Sequence, residues 1–291
     1  MYLQTSVPNE PYLMVKPNSD LDNIKPEYLE NKYVVRLSGS NYEKSFIEKF
    51  IIQFKDVKNL DIGNKSGGDR DNSFIYEFQN LEGLVISLYR DTDFILDCSR
   101  LPKSLYSLNL SVWSKKHIIN IEALNDTDLE VLYVADFDEK DLTKLSGLTN
   151  LKGLSVTRSK IKSLKGIEML TNLERISFGG VRSLTDISDI TALQNLKHLE
   201  FDICWKLKDF SPIGELKKLK ELELLDCKNL ESIKFVKNLP NLKRLSTLGT
   251  TIINDYDTTP AEHVPVFFGS QNNKYNKQYP EKEIHKKIEE L

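Results

Sequence analysis

From Leu105 onward, apolar positions recur in one spelling, L-x-x-L-x-[LVIF]. It reads L-Y-S-L-N-L at 105–110, L-E-V-L-Y-V at 129–134, L-K-G-L-S-V at 151–156, L-E-R-I-S-F at 173–178, L-K-H-L-E-F at 196–201 and L-K-E-L-E-L at 219–224. The first apolar residues of the successive units are Val57, Leu81, Leu105, Leu129, Leu151, Leu173, Leu196, Leu219 and Leu242, spaced by 22 to 24 residues. A period of that length predicts a solenoid, in which each turn buries its apolar side against its neighbours. In the clearest turn, Leu154 and Val156 alternate inward on a short strand, while Gly153, Ser155 and Thr157 face out. Ile161, Leu164, Ile167 and Leu170 then follow at three-residue spacing, which suits an extended or 3₁₀ return path and leaves no room for a full α-helix.

The ends of such a stack need covering. Tyr33–Leu37 reads as a strand, Ser40 and Glu43 have the spacing of a capping box, and Phe46, Ile47, Phe50, Ile51 and Phe54 fall at helical intervals. The pattern therefore divides the chain into an irregular, proline-bearing segment (1–32), a strand-plus-helix cap (33–56), about nine repeats (57–253) and a C-terminal cap or tail (254–291). In the last part, Val264–Phe268 is expected to lay a final apolar strip over the open end, and Glu281–Leu291 after Pro280 to form a short charged helix.

These units resemble the leucine-rich repeat family, in the short-repeat class of bacterial internalin-like proteins, over roughly residues 57–253. The resemblance implies an α/β repeat fold, a leucine-rich repeat solenoid with a curved parallel sheet on the concave face and extended or 3₁₀ segments on the convex face. It says little about function. The family's ninth-position Asn is replaced here by Trp113, Phe137, Ser159, Val181, Cys204, Cys227 and Thr250 in successive turns, so the bend must be closed differently.

Composition adds limits. The 291 residues carry 40 basic and 43 acidic side chains, a net charge of −3, so bulk basicity does not argue for nucleic acid. The Lys, Asn, Ile and Tyr bias suits an AT-rich bacterial genome. The opening residues lack the charged and apolar regions of a secretory signal, and no apolar run approaches a membrane span. Cys98, Cys204 and Cys227 are too few and too unevenly spaced for a disulfide framework, so a reducing cytoplasm is the expected home.

Candidate chemistry is sparse. Cys204 and Cys227 hold the same position in adjacent turns, but with no neighbouring His they are expected to fill the bend as buried thiols and not to bind metal. His117, His198, His263 and His285 are scattered in the repeat register, and no nucleophile shares an elbow with a base, so an enzyme is not expected. Ser66–Asn72 is Gly-rich and acidic but lacks the spacing of a phosphate or Ca²⁺ loop; it reads as a surface loop. No cofactor is expected.

Outward strand positions remain. Early turns present Asn59, Asp61, Ser107, Asn109, Ser111, Val131 and Tyr133, and middle turns present small residues around Arg175. Late turns gather His198, Glu200, Asp202, Glu221, Glu223, Leu225, Arg244, Ser246 and Leu248, with Trp205 and Asp226 at the edge. Four carboxylates on neighbouring strands repel one another by a few tenths to about 1 kcal/mol each. One reading is a solvated acidic face; another is an interface, since aromatic and apolar residues beside charge are what interfaces use. The expected partner-binding set is thus His198, Glu200, Asp202, Trp205, Glu221, Glu223, Leu225, Asp226, Arg244 and Tyr133, facing a protein with a basic patch; membrane and nucleic acid are not expected. A non-enzymatic scaffold or immunity-type inhibitor fits. The alternatives are a surface adhesin and a regulatory module of an enzyme system.

Overall fold

The computed structural model describes residues 2–5, 11–30, 32–40, 42–63, 71–88, 94–113, 115–270 and 272–276. Most of the Gly-rich loop and the tail helix expected after Pro280 lie outside them. The chain falls into two compact units, Met1–Val134 and Ala135–Leu291.

The first unit opens differently from expectation. Tyr2–Thr5 and Pro11–Val15 pair as antiparallel strands, and Pro26–Leu29 is a 3₁₀ turn, so the proline-bearing segment is structured. Pro11 and Pro26 sit where they cost little, at a strand start and at the head of the turn. Val34–Leu37 joins in parallel as the strand its sequence predicts. The helix runs Lys44–Gln53 and starts after Glu43 with no side-chain cap, so the Ser40–Glu43 box does not form. It is anchored by Phe50 and by Phe54 just beyond it, and Phe50 meets Phe78 edge-on. Asn59–Asp61, Gly83–Ser87, Ser107–Val112 and Val131–Ala135 then pair in parallel, with the register shifting between Ile86 and Ser87. Asp61, expected to face water, is buried because Arg36 reaches it from the next strand at 2.7 Å.

The second unit shows the repeat in its regular form. Gly153–Thr157, Arg175–Gly179, His198–Asp202, Glu221–Leu225 and Arg244–Thr247 pair in parallel, residue against residue. Leu154, Val156, Ile176, Phe178, Leu199, Phe201, Leu222 and Leu224 point inward and are buried. Removing one such side chain from water contributes about 1.5–3 kcal/mol. Phe178 stacks on Phe201 at 5.4 Å, showing that interior side chains meet their counterparts in the next turn. Returns are short 3₁₀ turns such as Ser188–Ala192 and Ser211–Glu215. Val266–Gly269 adds one more parallel strand beside Arg244–Thr247, so the stack continues past residue 253 and the Val264–Phe268 strip closes it.

Two devices shape each turn. Within two residues of the end of each sheet strand from Val131–Ala135 to Arg244–Thr247 comes a left-handed residue: Asp136, Arg158, Gly180, Ile203, Asp226 and Gly249, with φ between 49° and 70°. The N–H groups of Asp136, Arg158, Gly180, Ile203 and Asp226 donate to the strand-end carbonyls of Thr157, Gly179, Asp202, Leu225 and Leu248 in the following turn. At the bend, a side-chain donor reaches back to a carbonyl of the turn before, at its bend for Ser159 and in its strand for the others. Ser159 Oγ bonds Phe137, Cys204 Sγ bonds Phe178, Cys227 Sγ bonds Phe201 and Thr251 Oγ1 bonds Leu224. The last of these corrects the expected register, because Thr251, and not Thr250, takes the bend position. The three cysteines are buried free thiols. Among the described residues, no three His, Cys, Asp or Glu side chains are grouped to hold a metal, and no helix is long and apolar enough to cross a membrane.

Candidate partner-binding surface

Parallel pairing lines up the outward residues of the second unit in rows. One row runs Arg175, His198, Glu221, Arg244; the next runs Ser177, Glu200, Glu223, Ser246, Phe268; a third runs Gly179, Asp202, Leu225. Glu200 and Glu223 therefore stand directly opposite each other, the arrangement that costs most in a sheet. Glu221 does not share that isolation, since it stands between His198 and Arg244 in its row; His198 Nδ1 lies 3.0 Å from its Oε2 but without the alignment of a hydrogen bond. The single acidic cluster expected from sequence divides into a balanced row and an unbalanced one.

Arg244 explains much of the rest. Its Nη2 is 3.8 Å from Glu223 Oε1, too long for a hydrogen bond, and its guanidinium lies 5.1 Å from the Phe268 ring centroid. The side chain thus crosses above Ser246, which sits between Glu223 and Phe268 in its row. Ser246 was expected to face solvent; it faces outward but is buried, and its hydroxyl and Arg244 Nε lack hydrogen-bond partners among the described residues.

The carboxyls respond to their surroundings. Burial raises the Glu223 carboxyl above the ordinary range; Arg244 opposes the shift, while Glu200 and Glu221 add to it. Burial also raises Asp202, helped by the charges of Glu200 and Asp226. This face holds negative charge against its own preference. Leu225 is half-buried beside it, and Leu248 is exposed.

Two other expected members are occupied structurally. Asp226 accepts the Thr250 N–H at 2.8 Å, holding the left-handed turn closed. Trp205 is half-buried between cations of the turns before and after it, with Arg182 at 4.3 Å and Lys228 at 4.2 Å from the ring. Sequence reading missed both cations, although the spacing 182, 205, 228 equals the repeat length and would have revealed the stack. Tyr133 belongs to the first unit, where it is half-buried and opposite Asn109.

The family model for the leucine-rich repeat domain of the endo-β-N-acetylglucosaminidase EndoS matches residues 151–253. Among solved structures, an internalin (inlF) from Listeria monocytogenes str. 4b F2365 is 22% identical, with 86% of this chain and 84% of that one covered and a TM-score of 0.45. An internalin C2 (inlC2) from the same strain is 19% identical, with 68% and 83% covered and a TM-score of 0.46. No curated protein matches.

Proposed function

We propose that this chain, a leucine-rich repeat protein, acts without catalysis, as a protein-binding scaffold or immunity-type inhibitor whose partner seats a basic patch on the sheet face of the second unit. The observation that carries the reading is the facing pair Glu200 and Glu223, with Asp202 beside it. All three are partly buried carboxylates with no hydrogen-bonded counter-ion among the described residues, and burial raises the proton affinity of Glu223 and Asp202. A Lys or Arg of the partner relieves that repulsion, and Leu225 and Leu248 supply apolar surface to be desolvated. His198, Glu221 and Arg244 form the rim of the contact. Trp205, half-buried with Arg182 and Lys228 over its ring, flanks the contact. A reducing cytoplasm fits the three free thiols.

The test combines capture and mapping. Tagged wild-type chain is used to retain a partner from native lysate, and carboxylate–lysine cross-links are located by mass spectrometry. Cross-links should fall on Glu200, Asp202 and Glu223, and Glu200→Lys with Glu223→Lys should abolish capture. Capture that survives this double variant but fails on substitution of Tyr133 rejects the proposed face.

A further inference from the structure

Beside the acidic sheet face runs a ridge of opposite sign. Arg182, Trp205 and Lys228 follow one another at the repeat spacing along the bend, and Lys160 holds the corresponding place in the turn before Arg182. A second line lies next to it. Thr185 donates its N–H and its hydroxyl to the Lys162 carbonyl, which sets those residues side by side, and Lys208 follows Thr185 by one repeat. Lys206 flanks Trp205 directly. These six cations, Lys160, Lys162, Arg182, Lys206, Lys208 and Lys228, are all exposed, and none makes an ion pair among the described residues. The nearby carboxylates of Asp186 and Asp209 are engaged, accepting the N–H groups of Ser188 and Ser211 at 2.9 Å.

Neighbouring turns of a parallel stack stand about 4.8 Å apart, so like charges at that spacing repel unless an anion lies across them. The chemistry of the anion follows from what the ridge lacks. Arg182 and Lys228, from the turns on either side, both lie over the Trp205 indole, so a nucleic-acid base would have to displace a cation to stack there. Five of the six cations are lysines, hydrated point charges without the planar fork that reads phosphate bidentately. Both features favour carboxylates on a protein surface. Asp202 and Trp205 are three residues apart, so the acidic face and the basic ridge lie within about 10 Å of each other. One partner surface is wide enough to reach both.

We propose that the ridge docks a line of carboxylates on the same partner whose basic patch meets Glu200, Asp202 and Glu223. This rests on the reading of the sheet face given above. Paired stripes of opposite sign fix the partner's orientation, and they repel a uniformly basic surface that the sheet face alone would accept.

Fluorescent oligo-glutamate and oligo-lysine serve as probes of the full chain, with binding followed by anisotropy at low and physiological salt. Oligo-glutamate should bind, more weakly as salt rises. Lys206→Glu with Lys208→Glu should weaken it about tenfold or more while leaving oligo-lysine binding intact. Glu200→Lys with Glu223→Lys should do the reverse. Oligo-glutamate that fails to bind, or binds the ridge variant as tightly as wild type, overturns the ridge and leaves the sheet face standing. Failure of oligo-lysine alone overturns the sheet-face reading and with it the shared partner. Tighter binding of oligothymidylate than of oligo-glutamate overturns the choice of carboxylates. Loss of oligo-glutamate in Lys220→Glu with Lys243→Glu, at the other end of the strands, moves the anion site off the ridge and overturns it too.

Discussion

Gly180 and Gly249 hold the same left-handed position in different turns, with φ +67° and +70°, yet alanine should affect them unequally. A Cβ on Gly180 would come no nearer than 3.7 Å to the Arg158 backbone, an ordinary contact. Gly180→Ala therefore costs only the left-handed backbone of a non-glycine residue, about 1 kcal/mol. A Cβ on Gly249 would fall 2.4 Å from Asp226 Oδ1 and 2.6 Å from its Cγ, so the carboxylate must move. Moving it breaks the bond from the Thr250 N–H at 2.8 Å. A hydrogen bond to a charged group is worth about 1.5–3 kcal/mol, and because water can reach this one the lower end applies. Gly249→Ala should thus cost about 2.5 kcal/mol. The excess belongs to Asp226 and should vanish in an Asp226→Ala background, where Gly249→Ala should cost no more than Gly180→Ala. Urea titrations of each single variant and of the double variant, followed by far-UV circular dichroism, give the cycle. Equal costs at the two glycines, or an excess that persists without Asp226, would refute the reasoning.

Cys98, Cys204 and Cys227 are buried, and a hydrogen bond with Cys227 together with burial pushes the Cys204 thiol up, so a thiol reagent should find none of them in the native chain and all three in denaturant. Rapid native labelling would contradict that. Leu154→Ala and Leu222→Ala remove interior side chains and should each cost about 2–5 kcal/mol, whereas Ser155→Ala should stay within about 0.5 kcal/mol; similar urea midpoints for all three would mean the strand register is wrong. Glu223, raised by burial above its ordinary 4.5, keeps its proton in the folded chain at pH values where the unfolded chain has lost it. Its contribution to stability therefore falls as pH climbs from 4.5 through the raised value. Glu223→Gln should raise the urea midpoint at neutral pH and leave it unchanged well below 4.5, and a lower midpoint at neutral pH would show the opposite sign.

The parts of the fold written as apolar periodicity were legible. Leu81 through Leu242 at the head of each turn are buried as expected, and Leu154, Val156, Leu222 and Leu224 face inward. The bends were legible only in part. Four of the six left-handed positions carry Asp136, Arg158, Ile203 and Asp226; aspartate gives a weak local signal for positive φ, arginine and isoleucine none. Tertiary pairing imposes that conformation, by supplying an acceptor for each of their N–H groups. The extra residue that shifts the bend from Thr250 to Thr251 also becomes visible only when its hydroxyl finds Leu224. Within the candidate surface, outward positions were correct, but the division of charge was not legible. It depends on which residue lies opposite each carboxylate, and His198 lying against Glu221 while Glu200 meets Glu223 is a matter of register between strands 23 residues apart. Ser246 shows the remaining gap: alternation gives direction, whereas burial depends on a long neighbour such as Arg244 lying across it.

The turns of the second unit are tied in both senses. Each left-handed N–H donates forward, so a turn holds an unmet donor until its successor arrives with a carbonyl. At the strand heads the N–H groups of Arg175, His198, Glu221 and Arg244 donate back, to the carbonyls of Lys152, Glu174, Lys197 and Lys220. Removing turns from either side therefore bares donors as well as carbonyls, and each loss opens a fresh vacancy on the turn left at the end. During synthesis the forward donors of one turn are met as the ribosome releases the next.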